Sequence, residues 1–159
     1  MRPIPRTRSC FVCGVSNPLG FRLAMRTDGR WVEAPVTFRA EHVGFRNTIH
    51  GGLIATLLDE VMVWACGVGA KRFAYCAEMT VRYRRPVAPG VSMVVKAELV
   101  EDRKGRILIA RGLVVSEEDG QVHAEATGKY MPMGEGDSAF MGEDFIEDPA
   151  VILERGGAA

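Results

Sequence analysis

The residues best suited to chemistry are His50-Gly51-Gly52 and the acidic residue Asp59 that follows them. The glycine pair opens a long apolar stretch typical of a helix. The first amide groups of such a helix have no acceptors within it and lie near the positive end of its dipole. They can hold an anion or the oxyanion that develops on an attacked carbonyl, and a side chain at Gly51 would obstruct that approach. Taken alone, a glycine-rich helix start is also a packing device.

Asp59 strengthens the interpretation of this stretch as a functional site. A carboxylate on an apolar helix is costly unless it is hydrogen-bonded or faces solvent, and that cost indicates use as a base or nucleophile. A cap or a salt bridge to an arginine is the alternative. Gly51 and Asp59 are eight residues apart, which is about 12 Å along one helix. If both act on one carbonyl, Asp59 of one subunit must meet the Gly51 amide of another, which predicts an isologous dimer.

The elements that position these residues follow from hydrophobic periodicity. Residues Leu53 to Ala65 are apolar nearly all round, and the pattern predicts that Thr56, Asp59 and Glu60 share one narrow face. Strands are predicted before and after this helix, at Phe21–Thr27, Trp31–Arg39, Tyr75–Arg84, Val91–Glu101, Ile107–Ser116 and Gln121–Met131. Short turns join the last four, which predicts an antiparallel meander. The result is an α+β fold in which a curved sheet wraps one long central helix.

Composition predicts one domain with two extensions. The 159 residues suffice for a single core, and 20 Lys and Arg balance 20 Asp and Glu, which argues against general nucleic-acid binding. No apolar run follows the basic start, and the longest run, Val61–Ala70, is too short to span a bilayer, so we expect a cytoplasmic protein. We predict a flexible basic arm at 1–9, the folded domain at 10–132 and a solvated acidic tail at 133–159.

The pair Cys10-x-x-Cys13 is open to three interpretations: half a zinc site, a redox dithiol, or a turn whose cysteines pack inward. Zinc needs four ligands, yet Cys66 and Cys76 are ten residues apart and the three histidines are scattered. A redox pair is expected at the start of a helix, whereas Asn17, Pro18 and Gly20 follow here. We therefore predict a structural turn, reduced thiols and no metal site.

Two motifs resemble a known family. The run HGGLIATLLDE at 50–60 and the run CAEMTVRYRRP at 76–86 are similar to the hotdog-fold acyl-CoA thioesterases of the phenylacetic-acid-degradation type, a branch of the 4-hydroxybenzoyl-CoA thioesterase superfamily. The likeness covers about Cys10 to Met131 and includes the CxxCG..NPxG block of some members. It implies the hotdog fold, pairing of subunits as dimers or tetramers, and hydrolysis of acyl-CoA, with no cofactor beyond the coenzyme A of the substrate.

The resemblance assigns the base or nucleophile to Asp59 and the oxyanion amide to Gly51, with Gly52 beside it. His50 would orient the loop, contact the thioester, or be purely structural. Many relatives carry asparagine six residues before the histidine, where this chain has Gly44. The nearest substitute is Asn47.

Many relatives also carry serine or threonine at Cys76, where a hydroxyl helps to hold the attacking water, and a thiol hydrogen-bonds only weakly. Three arginines, Arg82, Arg84 and Arg85, could contact coenzyme A phosphates or form a solvated strand face. Glu78 either positions a residue of the site or forms an ion pair with one of these arginines.

The leading hypothesis is an acyl-CoA thioester hydrolase. The alternative, motivated by Gly44 and Cys76, is an acyl-CoA-binding protein of the same fold without efficient turnover. A dehydratase would pair the histidine with an acid, and the order of Gly51 and Asp59 fits hydrolysis better. The expected partners are the acyl-CoA and a second copy of the chain, with no nucleic acid and no membrane.

Overall fold

The computed structural model describes residues 1–153 and has one long helix wrapped by one antiparallel sheet. The helices are α1 (Gly51–Ala70), α2 (Glu135–Gly142) and α3 (Ala150–Leu153), and a short 3-10 helix covers Ala40–His42. The strands are β1 (Arg2–Pro3), β2 (Arg26–Thr27), β3 (Trp31–Thr37), β4 (Ala74–Tyr83), β5 (Ser92–Arg103), β6 (Ile107–Ser116) and β7 (Val122–Pro132). Their order in the sheet is β1-β2-β3-β5-β6-β7-β4. This architecture confirms the predicted α+β hotdog arrangement.

Helix α1 has a defined start and end. The His50 side chain caps its first turn, and Lys71 closes it in the left-handed conformation with its amide donating to the Gly67 carbonyl. Ten of its residues are buried against the sheet, which explains why an almost wholly apolar helix is stable here. Within residues 1–153, α1 is the only helix long and apolar enough to cross a membrane, and 56% of that window is buried inside the fold.

The strand order corrects one prediction. Strands β5, β6 and β7 form a meander, but β4 pairs with β7 at the far edge of the sheet, and β5 pairs with β3. The connection between β4 and β5, residues 84–91, crosses the sheet instead of forming a hairpin. The predicted strand over Phe21–Thr27 is also shorter, because the amides of Phe21 and Leu23 donate to carbonyls of the cysteine turn.

The chain ends differ from the predicted flexible arm at 1–9 and solvated tail at 133–159. Arg2–Pro3 adds a strand to the sheet, and Ile4 is buried. The side chain of Arg8 donates to the carbonyls of Glu143 and Phe145, which joins the two ends of the chain. Phe145 is itself buried, so apolar side chains within both segments hold them to the body. Residues 154–159 of the predicted tail lie outside the described part of the chain.

Candidate active site

The loop before α1 leaves one backbone amide available. His50 Nδ1 accepts a hydrogen bond from the Gly52 amide at 2.9 Å, and the His50 carbonyl accepts from the amides of Leu53 and Ile54. Within the described residues the Gly51 amide donates to no acceptor. Because Nδ1 accepts, the His50 ring is neutral with its proton on Nε2. The His50 side chain therefore satisfies the Gly52 amide, whereas the Gly51 amide has no acceptor among the described residues.

Close packing fixes the position of Gly51. The hydroxyl of Tyr83, on β4, donates to the Gly51 carbonyl at 2.8 Å. A Cβ atom at Gly51 would lie 3.2 Å from the Tyr83 ring, and one at Gly44 would lie 3.1 Å from His50 Cδ2. Gly44 thus gives the imidazole room to reach the helix start. Asparagine at this position, as in many relatives, would crowd the present His50 orientation.

A cavity of about 620 Å³ opens at this helix end. Gly51, Gly52 and His50 line it, together with Arg84 and Arg85 from the chain segment after β4. Arg84 forms an ion pair with Glu125, whereas Arg85 forms none among the described residues. The cavity combines an unpaired amide with positive charge at its rim, an arrangement suited to a carbonyl compound that carries phosphates.

Asp59 lies two turns further along α1 in a different environment. Its Oδ1 accepts a hydrogen bond from the hydroxyl of Tyr130, on β7, at 3.1 Å. Tyr130 is fully buried, and burial followed by the Asp59 charge raises the pKa of its hydroxyl. The phenol therefore stays protonated and holds the carboxylate in one orientation. Tyr130 was not predicted as a site residue, and the one signal for it in the sequence is a polar aromatic side chain at an inward-facing position of a core strand.

Cys76 lies beside the same carboxylate. Burial and the nearby Asp59 charge raise the pKa of the Cys76 thiol, whose hydrogen bond to Asp59 adds to the effect. The protonated form is thus favoured, which argues against Cys76 as a covalent nucleophile. Cys76 and Tyr130 are opposite each other in the β4–β7 ladder, so neighbouring strands bring a thiol and a phenol to the same acid.

A β-bulge accounts for this position of Cys76. Strict alternation along this strand would put Cys76 on the face opposite Met79 and Val81. The ladder instead shifts register between Cys76 and Glu78, and the extra residue turns Cys76 to the face of β4 that looks toward α1. Glu78 then pairs with Lys129 at 3.1 Å and not with one of the arginines.

The polar side chains of α1 turn to different partners, whereas the pattern predicted that they share one narrow face. Thr56 donates to the Gly52 carbonyl within the helix, and Asp59 turns toward Tyr130. Glu60 points elsewhere, to Cys10 and to Nε1 of Trp64. Successive helical positions are rotated by about 100°, which is enough to direct neighbouring acids to different partners.

Two further predicted residues lie apart from the cavity at Gly51. Asn47 is exposed, has a positive φ of 60° and is not among the residues that line the cavity. Its positive φ is typical of a turn, so Asn47 lies in the loop before Thr48, which does line the cavity. Arg82 lies on another face of the sheet, near Arg111 and Glu125. Asp59 does not line the cavity either, so one chain presents the amide and the acid in separate places.

Comparisons with known proteins agree with the fold described above. Residues 46–123 match the family model described as thioesterase superfamily. A solved thioesterase superfamily protein is 28% identical with a TM-score of 0.71, over 78% of this chain and 60% of its own length. This chain therefore spans less than two thirds of that protein.

Two other solved structures are informative. A mutant of the phenylacetic acid degradation protein PaaI from Thermus thermophilus is 26% identical, with a TM-score of 0.62 over 70% of this chain and 93% of that one. A Streptococcus mutans protein bound to acetyl-CoA is 18% identical, with a TM-score of 0.63 over 70% and 89% of the two chains. No curated protein matches the sequence significantly.

Proposed function

We propose that this chain, which belongs to the thioesterase superfamily and has the hotdog fold, hydrolyses acyl-CoA thioesters at sites shared by two copies of the chain. The observation that carries the proposal is the division of the site along α1. The unpaired Gly51 amide lies at one end, and the Asp59 carboxylate held by Tyr130 lies two turns away. Acetyl-CoA in the Streptococcus mutans relative supports the ligand class.

The chemistry requires an oxyanion donor and an acid-base group. The thioester carbonyl accepts a hydrogen bond from the Gly51 amide, which stabilises the charge that develops on oxygen. Asp59 takes a proton from a water molecule as the water attacks the carbonyl carbon. The tetrahedral intermediate then expels the coenzyme A thiolate, which receives that proton. Direct attack by Asp59 would give an acyl anhydride that water hydrolyses, and the same residues serve both routes.

The assembly that joins the two half-sites uses the free edge of β4. This strand pairs only with β7 within the described chain, and Tyr75 and Tyr83 on it are 54% and 53% exposed. An edge strand of ten residues is a ready surface for pairing with a second copy. Pairing of two β4 strands extends the sheet and gives the isologous dimer that the half-sites require; two such dimers could form a tetramer.

Coenzyme A is expected to place its phosphates at the basic rim of the cavity. Arg85 is the stronger candidate because Arg84 is already paired with Glu125. The apolar residues Phe45, Ile54 and Val87 line the same cavity and provide contacts for the rest of the ligand. This placement leaves the acyl group directed toward the Asp59 of the partner copy.

A complementation experiment tests the shared site. Asp59→Asn and Gly51→Pro chains, each inactive alone, are co-expressed and the purified mixture is assayed by chromatographic detection of free coenzyme A. A mixed dimer contains one doubly altered site and one intact site, so random pairing restores about a quarter of the wild-type activity. Absence of any recovery, with mixed dimers demonstrated by mass spectrometry, would refute the shared site.

Binding without efficient turnover is the second candidate function, and Cys76 favours it. Its thiol already contacts Asp59 where a hydroxyl would hold water more strongly. Calorimetry and the hydrolysis assay are therefore run on the same panel of short, long and aromatic acyl-CoAs. Micromolar binding with no release of coenzyme A across the panel would replace the hydrolase with a binding protein.

A further inference from the structure

A second cluster of reactive side chains lies on a different side of α1 from the one that Asp59 faces. Cys10 and Cys13 of the N-terminal turn meet Glu60 of the helix, and one potential ligand atom from each lies within 4.8 Å of the others. Cys10 Sγ is 3.7 Å from both oxygens of Glu60. The proposed hydrolase makes no use of these three residues.

We propose that Cys10, Cys13 and Glu60 form a binding site for one Zn²⁺ ion, with a fourth coordination position open to a neighbouring cavity. Zinc binds sulfur at about 2.3 Å and carboxylate oxygen at about 2.1 Å, so sulfur and oxygen ligands of a tetrahedral ion are about 3.6 Å apart. The present separation of Cys10 and Glu60 matches that spacing without movement of the backbone. Paired thiolates also select zinc over magnesium or calcium.

The turn that carries the cysteines has the geometry of a metal-binding knuckle. The Val12 amide donates to Cys10 Sγ at 3.3 Å, and the Gly14 amide donates to the Cys10 carbonyl at 2.9 Å. An amide donor aimed at sulfur stabilises a thiolate, the form that binds metal. A Cβ atom at Gly14 would lie only 2.2 Å from the Cys10 carbonyl oxygen, so this close turn requires glycine.

The surroundings favour a cation over a redox function. The adjoining cavity measures about 550 Å³ and is also lined by Glu143 and Asp144, while its described lining residues include no lysine, arginine or histidine. Trp64 Nε1 donates to Glu60 Oε1 at 3.2 Å and so orients the carboxylate. The cysteines lie in a turn and not at the start of a helix, where a redox thiolate would gain stabilisation.

The sequence offered Cys10 and Cys13 as half a zinc site, and we predicted no metal site because no further ligands were evident; the third ligand, Glu60, is 47 residues away from Cys13 in the chain. Only the docking of the N-terminal turn on α1 brings Glu60 to the cysteine pair. An ion bound here links that turn to the helix at the residue next to Asp59. The site thus connects the N-terminal segment to the element that carries the proposed catalytic acid.

Cobalt substitution tests the proposal directly. The full-length protein is reduced, freed of metal with a chelator and titrated with Co²⁺, and then Zn²⁺ is added in competition. We expect one Co²⁺ per chain, a near-ultraviolet thiolate-to-cobalt band, intense visible absorption of a tetrahedral ion, and loss of both on addition of stoichiometric Zn²⁺. Elemental analysis of the protein as purified gives an independent measure of bound zinc.

Matched variants distinguish the cluster from other thiols and acids. Cys10→Ser and Glu60→Gln should each weaken Co²⁺ binding by roughly 100-fold or more, whereas the controls Cys76→Ser and Glu78→Gln should bind as the wild type does. Circular dichroism confirms that each variant is folded. Unchanged affinity in Glu60→Gln, a missing thiolate band, or a reversible Cys10–Cys13 disulfide with no metal binding would overturn the proposal.

Discussion

Replacement of Gly51 by proline removes the single atom to which the proposed oxyanion function is assigned, the amide hydrogen. Gly51 is the first residue of α1, where proline is well tolerated because that amide has no partner within the helix. The preceding residue, His50, has φ −60° and ψ 125°, an extended conformation compatible with a following proline. The helix should therefore form normally in Gly51→Pro.

Gly51→Ala is the matched control. Both substitutions add a Cβ atom that would lie 3.2 Å from the Tyr83 ring. Both therefore require the same small movement of that ring. Only proline removes the donor. Loss of one oxyanion donor reduces kcat by about 100- to 1,000-fold, or about 3–4 kcal/mol. We expect a difference of that size between the two variants and a much smaller one between Gly51→Ala and the wild type.

The measurement is kcat and KM for the best acyl-CoA of the panel, together with the melting temperature of each variant. The reduction should fall on kcat, since the interaction strengthens as charge develops on the carbonyl oxygen. Equal kcat values for the proline and alanine variants, both folded, would show that the Gly51 amide does not stabilise the transition state. The assignment of the helix start as half of the site would then be wrong.

Three further perturbations follow from the described contacts. Tyr130→Phe removes the hydrogen bond to Asp59 while keeping the ring, and should lower kcat by roughly tenfold. A kcat equal to that of the wild type would show that the Tyr130 hydroxyl does not position the Asp59 carboxylate. Iodoacetamide should alkylate Cys76 more slowly than a free cysteine at about pH 8, because the pKa of the Cys76 thiol is raised, and Asp59→Asn should speed the reaction. Mass spectrometry gives the rate at Cys76, and an unchanged rate in Asp59→Asn would contradict the effect of Asp59 on this thiol. Burial alone would raise the pKa of Glu98, but hydrogen bonds from Arg30 and Arg111 hold it below the usual value. Its contribution to stability is therefore fully present above the unfolded pKa and is lost as the pH falls through the lowered folded pKa. Glu98→Gln should lower the melting temperature more at about pH 7 than at about pH 3, and an equal effect at both would refute this account.

The local pattern of the chain was sufficient to predict the helix and most strands. The segment Ile107–Ser116 was predicted with the bounds that the structure has, and the central helix was predicted within its true range. These elements have periodicity that depends only on which face is buried. The glycine pair and Asp59 were identified for the same reason, because each breaks an otherwise apolar pattern.

Features that depend on long-range pairing were not predictable in this way. The position of β4 beside β7 depends on a connection that crosses the sheet, and connection length alone does not distinguish it from a hairpin. The partners of the two helix acids, Tyr130 and Cys10, are 71 and 50 residues away from them in sequence. The segments at both chain ends were predicted to be solvated because their few apolar side chains have no periodicity of their own.

The extra residue in β4 has a consequence for how sequences of this kind change over time. Cys76 lies opposite Tyr130 and Glu78 lies opposite Lys129, the next residue of β7, so removal of Ala77 would leave a regular ladder with Cys76 still on the face that looks toward α1. A chain without the bulge would therefore carry the residue opposite Tyr130 one position closer in sequence to the residue that corresponds to Met79. Alignments that place residues in columns without a gap at this strand would compare side chains from opposite faces, so the length of β4 is as informative as its residues.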